Sequence, residues 1–208
     1  MDLDNKKLTL ILEQHNLWQR TLSIDGEVAS KGKQITLDKA TITDEYIVNQ
    51  DFSDSIIVNG SITNNTFENC DFSRSTFLSN VIESSNFLNC HFVKADMRSM
   101  QSNFTSFIGS DFTRADLTQA AFKNSKLGNC TLSWSWIVGT EFDGVDFESV
   151  ELEEARIIDA KFYNIKRFPQ LRFKNLEVQN ISIARDDQER RLSDEDAIIW
   201  LHQQQNSA

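Results

Sequence analysis

From Leu37 onward, every fifth residue of the chain is large and apolar: Leu37, Ile42, Ile47, Phe52, Ile57, Ile62, Phe67, and so on to Phe162. Of these 26 positions 25 obey the rule, and Ser102 alone breaks it. Two residues before each centre the side chain is usually small, as at Ala40, Ser55, Cys70, Ala95, Ser110, Ala120, Ser135 and Ala160. A period of five fits neither an α-helix, at 3.6, nor a flat strand, at 2. It marks a repeat architecture. A chain that turns a corner every five residues points one large and one small side chain inward on each side. The other three, Ser73 among them, are expected outward. Four such sides close a square coil of 20 residues, and coils stacked like sheet strands lie ~4.8 Å apart.

The stack predicts that residues 20 apart form columns. The columns read Phe52-Phe72-Phe92-Phe112-Leu132-Leu152, Ile47-Phe67-Phe87-Phe107-Leu127-Phe147 and Ile42-Ile62-Ile82-Ser102-Phe122-Phe142-Phe162. Like stacks on like. Cys70, Cys90 and Cys130 share one small-position column, which reads as inward space-filling by free thiols rather than a disulfide pair. Ser102 shares its side with the bulky Met100, so the inward volume is roughly kept.

Both flanks read as caps. Residues 1–34 hold a helix over 5–21, with Asp4 as N-cap and Leu8, Ile11, Leu12, His15 and Trp18 at helical spacing, then a loop with Gly26 and Gly32. Its task is to cover the open edge of the first coil, with His15 as packing. The β-helix occupies 35–164. After Phe162 the phase slips by one, giving a less regular closing coil over 165–186 with centres Phe168, Phe173, Val178 and Ile183. The inward positions before them are the bulky Lys166, Leu171, Leu176 and Ile181, and Pro169 is the only proline. Lys166, Arg167, Arg172 and Lys174 form a basic cluster, read as a solvated face. Residues 187–208 hold a last helix with Ser193 as N-cap and acids in its first turn. Its stripe Ala197, Trp200 and Leu201, with Ile198 and Ile199 beside it, either lids the last coil or pairs two rods as a homodimer.

The units Ala95-Asp96-Met97, Ala115-Asp116-Leu117, Ser110-Asp111-Phe112, Cys70-Asp71-Phe72 and Ser85-Asn86-Phe87 resemble the A-(D/N)-L-x-x repeat of the pentapeptide repeat proteins. The N-terminal helix is similar to the leading segment of many of them. The resemblance implies an all-β solenoid, a right-handed quadrilateral β-helix with N-terminal and C-terminal capping helices; the handedness comes from the family alone. It implies little about function, because the family is functionally mixed.

Charge adds a second pattern. The coils hold 19 acids and nine bases, while each flank is balanced, so the whole net charge of −10 lies on the β-helix. It is densest from Glu141 to Glu154, where Glu141, Asp143, Asp146, Glu148, Glu151, Glu153 and Glu154 meet no base along the sequence. That belt serves solubility and edge protection, or a binding surface. Its sign disfavours direct nucleic-acid binding. The absence of a long apolar run, of a leader-like N-terminus and of paired cysteines predicts a cytoplasmic protein without membrane contact.

No catalytic pattern accompanies the fold. His15, His91 and His202 lie in different elements, and no phosphate loop, dinucleotide fingerprint or zinc spacing occurs. The carboxylates sit on an open convex surface, whereas catalysis needs an enclosed site. The expectation is a non-enzyme without cofactor or metal: a rigid protein-interaction module with an unidentified protein partner. Trp134 and Trp136, outward and beside the acidic belt, are its candidate contact residues. Cation–π stacking on Arg114 and Arg156 is the other reading of those rings. Family resemblance offers an alternative, an acidic mimic of duplex DNA that binds a type II topoisomerase (DNA gyrase or topoisomerase IV) and shields it from inhibitors. The absence of projecting loops and the local concentration of charge speak against it.

Overall fold

The computed structural model describes residues 1–22, 32–167, 174–185 and 188–205. Gly26, Phe168, Pro169, Leu171, Arg172 and Phe173 lie outside the described residues. The chain winds as a four-sided β-solenoid. Its corners explain the period of five. Every fifth residue from 39 to 164 has φ between 49° and 64°. This left-handed conformation is disfavoured for most side chains and tolerated by Asn, Asp and Gly. Those three types fill 14 of the 26 corners. On the Phe52 side the corner also closes with a hydrogen bond, for instance from the Ser75 N–H to the Phe72 carbonyl at 3.2 Å. That is the geometry of a turn with positive φ at its third residue.

Coils pair in parallel with a 20-residue register. Ile42 pairs with Ile62, Ile62 with Ile82, Ser102 with Phe122 and Phe142 with Phe162. The Ile42 side is a ten-stranded sheet and the Ile47 side a six-stranded one. The Phe52 side is held by single bridges, Asp51 to Asp71 to His91 to Asp111. Inside, phenylalanines stack along the axis: Phe52, Phe72, Phe92 and Phe112 lie 4.7 to 5.1 Å apart and within 8° of parallel. Neighbouring columns meet edge to face, as Phe87 does Phe92 at 5.5 Å. Both are favoured aromatic geometries.

The small inward positions do more than fill space. Several of their polar atoms bond the carbonyl of a centre one coil earlier, as Thr140 Oγ1 donates to Leu117 at 2.8 Å and Ser110 Oγ to Phe87 at 3.2 Å, while Ser75 and Ser135 bond Phe72 and Leu132 three residues back on their own coil. All three cysteines are free and buried, and the Cys130 Sγ donates to the Phe107 carbonyl at 3.0 Å. Burial pushes that thiol up to about 12, which keeps the proton it donates. Buried Asn65 and Asn80 serve the same role with two donors each. Met100 is fully buried, as the volume argument requires, and Ser102 Oγ lies 3.3 Å from Ser125 Oγ.

Ser73 departs from expectation. It is only 9 % exposed, with its N–H donating to Asp71 Oδ1 at 2.8 Å.

The N-terminal cap has two parts. Strand Asp2–Leu3 extends the ten-stranded sheet by pairing with Thr41 and Ile42. Helix Asn5–Leu22 then lies over the first coil, with the Lys7 N–H donating to the Asp4 carboxylate at 2.9 Å. His15 is fully buried. Its Nδ1 accepts the Ile35 N–H at 3.0 Å, its other ring nitrogen bonds the Ser53 carbonyl at 2.9 Å, and Trp18 stacks on it. This requires a neutral imidazole. Burial holds the ring below its ordinary value of 6.5, so the unfolded chain binds this proton more readily than the folded one. The stability His15 contributes is therefore complete above pH 6.5 and lost as pH falls below it. Melting temperatures from pH 8 to pH 5 are expected to drop less steeply for His15→Gln than for the wild type; equal slopes would remove this role.

At the C-terminal end the slip appears at Lys166 and Arg167, where Asp146 pairs with Arg167, 21 residues on. The offset persists in Ile157 with Val178 and Phe162 with Ile183. Ile181 is buried as expected, but Lys166 stays exposed: the extra residue there releases it from the inward row. The segment after 186, expected as helix, begins with strand Gln188–Leu192, antiparallel to Ile181–Arg185. Helix Asp194–Gln205 follows and lids the last coil with buried Ala197 and Leu201. Among the described residues no helix is long and apolar enough to cross a membrane.

Candidate interaction surface

Trp134 occupies the corner between the Phe52 and Leu37 sides, and Trp136 stands two residues on, on the Leu37 side. They are 46 % and 50 % exposed. Trp134 has φ 63°, a conformation that costs a bulky residue ~1–2 kcal/mol relative to the right-handed region. Its column at the same corner is otherwise charged: Asp54, Arg74, Lys94, Arg114 and Glu154. Only Phe104, 61 % exposed at the diagonal corner, is another aromatic held this way among the described residues.

The coil register sets the partners of the two rings. Trp136 pairs with Arg156 one coil later and bridges Asp116 one coil earlier. The Arg114 guanidinium sits 5.7 Å above the Trp134 ring and that of Arg156 5.7 Å above Trp136. Arg156 is itself clamped by Glu177 through two bonds of 2.7 and 2.8 Å. The expected stacking on Arg114 and Arg156 is thus present. With these guanidinium groups in place, both residues remain about half exposed.

The acidic belt does not form one surface with the tryptophans. Glu141 and Asp143 lie on the Ile42 side, Asp146 and Glu148 on the Ile47 side, and Glu151, Glu153 and the corner residue Glu154 on the Phe52 side. Nor does it lack bases in space. Glu141 meets Lys123 at 3.3 Å and Lys161 at 3.5 Å, Asp146 meets Arg167 at 2.6 Å, and Glu148 meets Lys126 at 2.8 Å. Glu153 lies 3.9 Å from Lys174, and Asp143 accepts the Asn164 amide at 2.9 Å. Arg167 and Lys126 hold the Asp146 and Glu148 carboxyls below their usual values. These bases stand about 20 residues away in sequence, in the coils above and below, which is why a scan along the chain misses them. Glu153 and Glu154 remain beside the tryptophans, since the Trp134 N–H donates to the Glu153 carbonyl at 2.9 Å.

On the C-terminal helix, Trp200 packs on Phe162 at 5.9 Å. Ala197 and Leu201 are spent on the chain's own last coil, while Ile198 and Ile199 remain exposed. Among the described residues no cluster of three or more His, Cys, Asp or Glu is placed to hold a metal ion.

The family model described as pentapeptide repeats, eight copies long, matches residues 103–133. No curated protein sequence matches the chain. Among solved structures, a trypsin-treated form of QnrB1, a plasmid-mediated fluoroquinolone resistance protein, aligns at 16 % identity with a TM-score of 0.37, covering 70 % of this chain and 90 % of that one. The pentapeptide repeat protein Rfr23 from the cyanobacterium Cyanothece 51142 aligns at 12 % identity with a TM-score of 0.34, covering 52 % and 84 %. HetL, a pentapeptide repeat protein involved in heterocyst differentiation regulation in the cyanobacterium Nostoc sp. strain PCC 7120, aligns at 11 % with a TM-score of 0.28, covering 71 % and 89 %. The repeat model matches residues 103–133, and the same five-residue unit, with its corners and coil register, runs from residue 39 to 164.

Proposed function

We propose that the chain is a non-enzymatic interaction module that binds a protein partner at the Trp134 and Trp136 corner. The supporting observation is a half-open indole pair, one member held in a left-handed corner that Asn or Gly would occupy at lower cost. Exposed Trp with Arg beside it is the composition of an interface hot spot, where one truncation costs ~2 kcal/mol or more. Both rings are pre-oriented by Arg114 and Arg156, which lowers the entropy lost on binding. Free thiols fit a reducing compartment such as the cytoplasm.

Trp134→Ala with Trp136→Ala is expected to keep the fold and to lose a partner that the wild type captures from native lysate. Phe104→Ala at the diagonal corner is expected to keep it. A folded double variant that retains every captured partner overturns the proposal.

The excess of ten acids on the coils favours a second reading, in which a type II topoisomerase binds the rod as it would DNA. The bases that meet the belt from adjacent coils weaken it. Gyrase supercoiling with and without a fluoroquinolone separates the two: protection by the Trp134 and Trp136 double variant equal to that by the wild type would support the second reading.

A further inference from the structure

The slip at Lys166 and Arg167 opens a groove of about 770 Å³ between the end of the solenoid, the closing hairpin and the lid helix. That volume is in the range of small-molecule sites. Its floor is apolar: Phe162, Ile165, Ile183 and Trp200. Its rim carries Lys166, Arg167, Arg185 and Arg190, and no carboxylate lines it among the described residues. Arg167 is occupied by Asp146 and Glu148. Arg185 and Arg190 form no salt bridge with a carboxylate among the described residues, while Lys166 acts through space on Asp146.

The hairpin register shows how the charges reach this place. Arg190 pairs with Ile183, whose column is the inward one continued from Phe162, so Arg190 turns to the groove side. Arg191 turns the other way and bonds Asp159 at 2.8 Å. Neighbouring arginines thus have different tasks. In a chain of net charge −10, the charged side chains that line this groove among the described residues are all cations, set over an apolar floor.

We propose that this groove binds a small amphipathic organic anion, its apolar body on Trp200 and Ile183 and its carboxylate or phosphate between Arg185, Arg190 and Lys166. Arg is suited to both head groups, because its planar fork meets two oxygens at once. The site is separate from the Trp134 corner and does not depend on it.

The probe is 8-anilinonaphthalene-1-sulfonate, titrated into the full chain by fluorescence. One saturable site is expected. Arg185→Glu with Arg190→Glu is expected to weaken it at least tenfold at an unchanged melting temperature, and Arg185→Gln with Arg190→Gln to weaken it less. Trp134→Ala with Trp136→Ala is expected to leave it unchanged. Naphthalene-2-carboxylate or AMP is expected to displace the probe, and which does so better separates a carboxylate from a phosphate ligand. Inorganic phosphate alone and the cation naphthylmethylammonium are not. An Arg190 that only guards the sheet edge predicts no saturable binding, and that result overturns the proposal. So do equal binding by the charge-reversed variant, dependence on the Trp134 corner, displacement by neither organic anion, or equal displacement by the cation.

Discussion

Phe72→Asp is expected to unfold the protein at room temperature, while Val81→Asp shifts its melting point by no more than a few degrees. Phe72 is fully enclosed. It stacks between Phe52 and Phe92 and meets Phe67, Phe77 and Phe87 edge to face. Losing a buried phenylalanine costs ~3–5 kcal/mol, and a carboxylate left there without a partner adds several more. Together these approach the whole stability of an ordinary domain, ~5–15 kcal/mol. Val81 is beside the buried Ile82 yet 45 % exposed, and an outward substitution of this kind costs about ±0.5 kcal/mol. Thermal melts followed by circular dichroism check both. Equal losses at the two positions would refute the inward phase.

Asn80→Ala is expected to cost about 3 kcal/mol or more, far above Asn103→Ala on an outward position. The Asn80 amide donates to the Ile57 and Phe77 carbonyls at 2.7 and 2.9 Å, and its oxygen accepts the Gly60 N–H at 2.8 Å. All of this is buried, so truncation strands three backbone groups at ~1–3 kcal/mol each. Asn65 repeats the arrangement on another side, bonding Ile42, Thr63 and Glu45. Denaturant unfolding of the two variants measures the difference. A loss below 1 kcal/mol for Asn80→Ala would mean that water replaces the amide.

These asparagines show where the sequence stops being readable. The inward columns were legible because an apolar centre every fifth residue has one geometric solution, and the Met100 and Ser102 exchange was legible by volume. Asn65 and Asn80 break the small-residue rule, and volume alone gives no reason for them. Their recurrence at the inward phase was the available signal; their task needs the carbonyls of the previous coil. The one-residue slip was legible, but not the antiparallel strand Gln188–Leu192. Its residues are mostly charged, because an edge strand is kept from pairing with other chains by such charges. Trp134 and Trp136 were found as outward aromatics. The left-handed backbone of Trp134 follows from its place in the period. The bases that meet the acidic belt are not legible along the chain, because neighbours in this fold stand about 20 residues apart, as Lys123, Lys161 and Arg167 do.

The same register makes chain length a form of angular control. An insertion of one whole coil adds ~4.8 Å to the rod and returns every later residue to its former side. An insertion of a single five-residue unit instead turns everything after it by a quarter revolution. The Trp134 corner would then face another direction relative to the N-terminal helix, with every contact inside each downstream unit preserved. Orientation between the two ends of this molecule is therefore counted in units rather than set by a hinge. Relatives that differ by one unit would present the same surface to a different quarter of the solvent.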